Sequence, residues 1–139
     1  KPHIDWDRYT IGLCNVDNNE ARQAFAKDFL RMGKPAVFAA VSDDANCGWV
    51  FVQESQPGTP CFGCAFPQTL NDNRHPCPNT PATSDVLRVV GGLVTYAVDS
   101  LVMKRLRNWN LRFVFLAGYM PDAGRGIEQN PDCPLCGGR

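Results

Sequence analysis

Two pairs of closely spaced cysteines are the residues of this sequence best suited to chemistry. Cys61 and Cys64 form one C-x-x-C motif, and Cys133 and Cys136 form a second one near the end of the chain. Each motif offers two thiolates from one tight turn, and four thiolates complete the tetrahedral shell of a structural Zn2+ ion. The spacing therefore predicts a closed zinc site that joins two distant segments. The alternative is four cysteines in loops, either free or linked by disulfides.

The carboxylate of Asp17 is the next side chain that could take part in chemistry. Asp17 follows a short apolar run and precedes a helical pattern, which is where open α/β sheets bind their ligands. A carboxylate at this position could hold Mg2+ on a nucleotide phosphate. Asp17 and Glu20 also fit a capping box, and spacing alone favours Asp17 as the helix N-cap, although one residue could serve both roles. Arg22, on the same helix, is by default a solvated side chain.

The remaining cysteines differ in their surroundings. Cys77 lies in a proline-rich loop just after Arg74 and His75, whose positive charge would raise its thiolate fraction. Without further context, a lone loop cysteine is more often incidental. Cys14 and Cys47 fall within apolar runs and are interpreted as small buried hydrophobic residues. The sequence contains no Ser/His/Asp arrangement and no glycine-rich phosphate loop, so a hydrolase is not indicated.

Hydrophobic patterning predicts the elements that position these residues. Apolar runs at 9–14 and 36–41 flank an amphipathic helix at 18–32, which Gly33 ends, so a βαβ unit with a parallel strand pair is expected. A third strand at 47–53 follows as a hairpin. Residues 54–83 carry six prolines, and no regular element is expected there.

The second half of the chain is dominated by one long apolar helix, predicted from Asp85 to about Asn108. Its first half is apolar on nearly every face, which predicts burial in a core or a subunit interface, and Gly91-Gly92 would permit close packing. Lys104, Arg105 and Arg107 are expected in its last turn, near the carbonyl end. A strand at 111–117 and a tail from 118 complete the chain.

Composition narrows the classes of partner. The 139 residues include 14 basic and 14 acidic side chains, so the formal net charge is zero. Such a chain has no field that would gather nucleic acid or an anionic membrane surface. The longest apolar stretch, 86–103, contains Arg88 and Asp99 and is not a membrane span. A soluble, cytoplasmic protein is therefore expected.

Taken in order, several segments resemble the ThiF/MoeB-type, ubiquitin-activating-enzyme-like adenylyltransferases. The matching stretches are NVDNNEAR (15–22), GKPAV (33–37), PCFGCAFP (60–67), CPNTPA (77–82), VGGL (90–93) and NPDCPLC (130–136). They extend over almost the whole chain but match only the C-terminal half of such proteins. Family members also have an N-terminal half that holds the glycine-rich nucleotide loop, and nothing in this sequence supplies that loop.

The resemblance implies an activity and roles for individual residues. Such proteins use ATP and Mg2+ to adenylate the C-terminal glycine of a ubiquitin-like or sulfur-carrier protein, and some then transfer it to a cysteine. Asp17 matches the aspartate that binds Mg-ATP, and Asn18 and Arg22 match the motif that follows it. Cys77 occupies the crossover-loop position where many members carry an acceptor thiol. The four paired cysteines match the structural zinc ligands.

The resemblance also implies the architecture. We expect an α/β fold, part of a Rossmann-like sheet with a four-cysteine zinc site, in which residues 1–139 are the C-terminal portion of a ThiF-type domain. The crossover loop would span about 54–83 and the zinc-binding tail about 118–139. A homodimer or a separate N-terminal half is the expected partner. The alternative function is a non-catalytic, zinc-stabilised interaction domain or partner subunit, because the nucleotide loop is missing.

Overall fold

A five-stranded sheet organises the chain. The computed structural model describes residues 5–42, 46–71, 83–117 and 123–137. Their strands are β1 (Gly12–Cys14), β2 (Ala36–Val41), β3 (Cys47–Gln53), β4 (Leu111–Phe115) and β5 (Ala123–Arg125), and their α-helices are α1 (Asn19–Arg31), α2 (Phe62–Ala65) and α3 (Ser84–Val102). Short 3-10 helices occupy Trp6–Arg8 and Pro67–Asn71.

The strands lie in the order β1-β2-β3-β4-β5. β1 and β2 are parallel and are connected through α1, whereas each of the following pairs is antiparallel. The predicted βαβ unit and the hairpin after it are both confirmed. The class is therefore a mixed α/β sheet, and the carboxyl ends of β1 and β2 meet at one edge.

Helices cover both faces of the sheet. On one face, α1 and α2 pack an aromatic core around Phe38 and Phe51, which are cross-strand partners. On the other face, α3 packs a valine core that includes Val37 and Val50. Because neighbouring strand residues point to opposite faces, burial on both faces produces nearly continuous apolar strands instead of an alternating pattern.

The N-cap of α1 corrects the sequence prediction. Asn18, not Asp17, adopts the extended cap conformation, and its Oδ1 accepts a hydrogen bond from the Ala21 N–H at 2.8 Å. Both residue types are good caps, so a shift of one residue was not visible in the spacing. The carboxylate of Asp17 is therefore not occupied in capping.

α3 ends earlier than predicted and is less buried. Met103 is its C-cap, and Lys104 follows with φ of 52° in the left-handed region, which turns the chain out of the helix. The basic residues from Lys104 onward therefore lie beyond the helix and not in its last turn. Tyr96 is 44% exposed, so the described chain does not bury every apolar face of α3 in its own core, and burial in a subunit interface stays a prediction. Gly91 and Gly92 are also exposed, and a Cβ at either would meet none of the described atoms within 4 Å.

Three boundaries also differ. The first strand is limited to Gly12–Cys14, and the strand at Leu111–Phe115 ends two residues early. The loop predicted at 54–83 contains α2 and the second 3-10 helix, and residues 72–82 lie outside the described chain. β5, a strand of three residues, was missed because it is too short to show a period. None of the described helices has the length and hydropathy needed to cross a bilayer.

Candidate functional site

The four cysteines of the two motifs meet in the folded chain. The Sγ atoms of Cys61 and Cys64 are 3.7 Å apart, those of Cys61 and Cys133 are 3.6 Å apart, and those of Cys64 and Cys136 are 3.7 Å apart. All four lie within 4.8 Å of one another. A disulfide requires about 2.05 Å, so no disulfide joins these four sulfurs. Around Zn2+, with Zn–S bonds of about 2.3 Å, tetrahedral geometry places sulfurs about 3.8 Å apart, which the cluster fits.

Local turns present the sulfurs to one another. In the first motif, the Cys64 N–H donates to the Cys61 carbonyl at 3.0 Å as α2 begins. In the second motif, the Gly137 N–H donates to the Cys133 carbonyl at 2.8 Å. A backbone donor also joins the two segments, because the Asn130 N–H donates to Cys64 Sγ at 3.4 Å. Both motifs thus present two sulfurs from one turn, as the spacing predicts.

The cluster is buried, and burial disfavours charged thiolates. Cys61, Cys133 and Cys136 are buried, and Cys64 is half-buried. Burial raises the pKa of Cys61 far above the ordinary thiol value, and the neighbouring Cys64 and Cys133 thiols raise it further. A bound divalent cation would compensate the thiolates that burial otherwise opposes. Four sulfurs leave no coordination position for water, so the donor set suits a structural ion.

Gly63 lies between the cysteines of the first motif and faces the second motif. A Cβ there would come within 3.0 Å of Leu135 Cβ and 3.1 Å of Cys133 Sγ. We expect Gly63→Ala to lower the free energy of unfolding of the metal-loaded chain by about 1–3 kcal/mol, because the two motifs must separate. Urea unfolding measures this effect. Gly126→Ala is the control, because a Cβ at Gly126 would meet no described atom within 4 Å. Equal midpoints for the two variants would contradict the prediction.

A second feature is a cleft at the edge where the carboxyl ends of β1 and β2 meet. It has a volume of about 960 Å3 and is lined by residues of α1, α2 and α3 and of strands β2 to β5. Its walls include Asp17, Arg22, Ser42, Leu87 and Gly91. Open α/β sheets bind ligands at this edge of their parallel strands. The structure therefore brings Asp17 and Arg22 to one cleft.

Asp17 is exposed at the mouth of this cleft. Among the described residues its carboxylate accepts one hydrogen bond, from Asn18 Nδ2 at 3.3 Å. Asn18 thus caps α1 with its oxygen and orients Asp17 with its amide group. The arrangement leaves carboxylate lone pairs available to a cation or a polar ligand.

Arg22 is not the solvated side chain expected by default. Its guanidinium is half-buried, donates to the Val16 carbonyl at 2.7 Å and to Asn19 Oδ1 at 3.0 Å, and lies 5.7 Å from the centre of the Trp49 ring. Burial lowers the pKa of Arg22, although a guanidinium stays charged at neutral pH. Arg22 therefore fixes the loop that carries Asp17. Sequence reasoning missed this role because a pattern of residue types does not show which backbone carbonyl a side chain will bind.

The cysteines outside the cluster and one buried glutamine complete the comparison with the sequence predictions. Cys77 lies outside the described residues, so its role as an acceptor thiol stays a prediction. Cys14 is buried as expected, and burial raises the pKa of its thiol, whereas Cys47 is only half-buried. Gln53, which no motif indicated, is a fully buried polar residue beside the first C-x-x-C motif.

The mixed sheet is a fold found in larger enzymes. No protein-family model matches the sequence, and no curated protein matches it either. Among solved structures, E. coli MccB with succinimide superposes with a TM-score of 0.69 at 17% identity, covering 97% of this chain and 42% of MccB. The microcin C7 biosynthetic enzyme MccB in complex with N-formylated MccA has a TM-score of 0.69 at 15% identity, covering 96% and 43%. Another MccB structure contains ATP.

A second kind of protein shares the fold more distantly. A heterocyclase in complex with substrate and cofactor has a TM-score of 0.56 at 15% identity, covering 93% of this chain and 21% of the heterocyclase. These likenesses establish the fold. The chain spans about two-fifths of the length of MccB, which agrees with the expectation that it matches only part of such enzymes.

Proposed function

We propose that this chain is the C-terminal portion of an ATP-dependent enzyme that adenylates the C-terminal glycine of a ubiquitin-like or sulfur-carrier protein. The observation that carries the proposal is the position of Asp17, which lines the cleft at the carboxyl ends of β1 and β2. Its carboxylate does not cap α1, because Asn18 is the N-cap. The motif resemblance and the fold shared with MccB, one structure of which contains ATP, support it.

The proposed reaction needs a cation and a fixed loop. A carboxylate oxygen of the carrier attacks the α-phosphorus of ATP, the bond to the bridging oxygen of the β-phosphate breaks, and pyrophosphate leaves. Mg2+, when bound, neutralises phosphate charge. Asp17 would hold this cation, while Asn18 orients the Asp17 carboxylate and Arg22 holds the backbone of the same loop. A thiol, the role proposed for Cys77, would then attack the acyl carbon of this adenylate, which breaks the bond to AMP and forms a thioester.

The four-cysteine cluster has a structural part in this proposal. Cys61, Cys64, Cys133 and Cys136 would hold Zn2+ and join the segment around α2 to the tail. The ion lies outside the reaction, because sulfur fills every coordination position. The proposed reaction therefore takes place in the cleft, which is lined by residues other than the four cysteines.

Replacement of Asp17 tests the activity. In the natural protein, including any residues encoded before Lys1, Asp17→Asn is expected to reduce carrier-dependent ATP–pyrophosphate exchange at least tenfold. The physical reason is loss of the charged oxygen ligand for the cation. Asp28→Asn is the matched control, because Asp28 lies on α1, the helix that follows Asp17, and pairs with Arg31 at the surface. Unchanged exchange in Asp17→Asn would contradict the assigned role.

A non-catalytic interaction domain is the second candidate. Apolar side chains on α3 favour it, since Leu87 is 50% exposed and Val89 and Tyr96 are also exposed. Such a surface is typical of contacts between proteins, including the proposed homodimer. A thermal-shift measurement with ATP and Mg2+ separates the two candidates. Stabilisation of the natural protein by nucleotide supports the enzyme, and its absence supports the interaction domain.

A further inference from the structure

Gln53 is a polar residue in a place where polar residues are rare. It ends β3 and has no exposed surface. Its Nε2 donates to the Ala26 carbonyl in α1 at 3.0 Å, and its Oε1 accepts from the Phe62 N–H at 3.0 Å. Phe62 directly follows Cys61 and begins α2. One side chain thus connects the sheet, a helix and the first C-x-x-C motif.

The hydrogen bond between Gln53 and Phe62 gives the first N–H group of α2 an acceptor. The first N–H groups of a helix have no partner within that helix. Phe62 is buried, so water does not supply an acceptor for its N–H. Cys61 is the N-cap residue of α2, but its side chain makes no capping hydrogen bond and its sulfur lies in the cluster. Phe62 is the first residue of α2, whose N–H an N-cap side chain does not reach, and Gln53 supplies the acceptor for it.

Other contacts set the same segment against α1. The Gln23 side chain donates to the Thr69 carbonyl at 2.6 Å, in the 3-10 helix that follows α2. Leu30, also on α1, packs in the buried cluster with Cys61 and Cys133. Gln53 also donates a hydrogen bond to α1, so these contacts together fix the distance between the first motif and this helix. In that position the first motif lies next to the second motif.

We propose that Gln53 is a positioning residue of the cysteine metal centre, which holds Cys61 and Cys64 in the geometry that the second motif completes. The inference goes beyond the proposed adenylation activity and does not depend on it. Partners of this kind, outside the ligand shell, typically change metal affinity by about 10–100-fold when they are removed.

Cobalt binding to the full chain tests the proposal. Co2+ is titrated into metal-free wild type, Gln53→Met, Gln53→Asn and Gln53→Glu, and the charge-transfer and d–d absorption bands are followed. Gln53→Met removes both hydrogen bonds at similar volume, and Gln53→Asn keeps an amide that is too short to reach Phe62. Both are expected to bind Co2+ at least tenfold more weakly than wild type. Gln53→Glu keeps the acceptor and is expected to retain more affinity than either.

Val52→Ala separates positioning from general stability. Val52 precedes Gln53 and is equally buried, but its side chain lies in the valine core beneath α3. This variant is expected to lower Tm and keep wild-type Co2+ affinity. Wild-type affinity in Gln53→Met or Gln53→Asn, or an equal loss in Val52→Ala, would overturn the proposal. Failure of the wild type to bind Co2+ would overturn the metal centre with it, and leave the test of Asp17 unaffected.

Discussion

Cys136→Ser is expected to release the metal and lower Tm by roughly 10 °C or more, equivalent to at least about 3 kcal/mol. The same result is expected for Cys61→Ser, which removes a sulfur from the opposite motif. In both cases the remaining sulfurs leave an incomplete shell in a buried site, and metal-binding free energy is part of the folding free energy. Metal analysis of the purified chain and a thermal melt measure the two effects.

Cys47→Ser is the matched control for the cysteine variants. Cys47 begins β3, is half-buried and does not belong to the cluster. It is expected to keep one zinc per chain and a Tm close to that of the wild type. A Cys136→Ser chain with full zinc content and wild-type Tm would contradict the assignment, as would wild-type protein that contains no zinc.

Arg107→Ala is expected to lower the free energy of unfolding by about 3 kcal/mol. The side chain of Arg107 is 5% exposed and that of Glu54 is 35% exposed. The Arg107 guanidinium donates to Glu54 Oε1 at 2.7 Å, to Ser100 Oγ at 2.8 Å and to the Trp109 carbonyl. Its guanidinium also lies over the Trp109 ring. Removing it leaves the Glu54 carboxylate without its cation and takes a hydrogen-bond donor from Ser100 in α3 and from the Trp109 carbonyl before β4. Urea unfolding of the metal-loaded chain measures the loss.

Arg31→Ala provides the comparison for Arg107. Arg31 pairs with Asp28 on the surface of α1, and its side chain is 65% exposed. Exposed ion pairs of this kind contribute about 0.5 kcal/mol or less, because water screens the charges. Similar unfolding midpoints for Arg31→Ala and Arg107→Ala would show that burial of the Arg107 side chain has no energetic consequence, contrary to our expectation.

Local signals explain what the sequence could predict. The two C-x-x-C motifs placed four sulfurs correctly, because each turn is encoded within four residues and few other donors compete for the same ion. Apolar runs on either side of an amphipathic helix likewise predicted the βαβ unit. Asp17 was placed at the edge where the carboxyl ends of β1 and β2 meet for the same reason, since its position depends only on the end of β1.

Features that depend on tertiary contacts were missed. The end of α3 depends on the left-handed turn at Lys104, and Arg107 finds its partners only after that turn. Arg22 contacts Trp49, and Gln53 contacts Phe62, through the packing of α1 and α2 against the sheet. Such polar residues are indistinguishable from surface residues in a sequence pattern, because their partners belong to other elements.

The sulfur cluster alters the electrostatic character of the chain. With protonated cysteines, 14 basic and 14 acidic side chains cancel, and the isoelectric point from sequence is 6.9. Four thiolates around one Zn2+ would together contribute a charge of about −2, which would make a zinc-loaded chain acidic at neutral pH. Zinc-loaded and metal-free forms are therefore expected to separate by isoelectric focusing, and a bound ion would make the surroundings of the cysteines less attractive to anions.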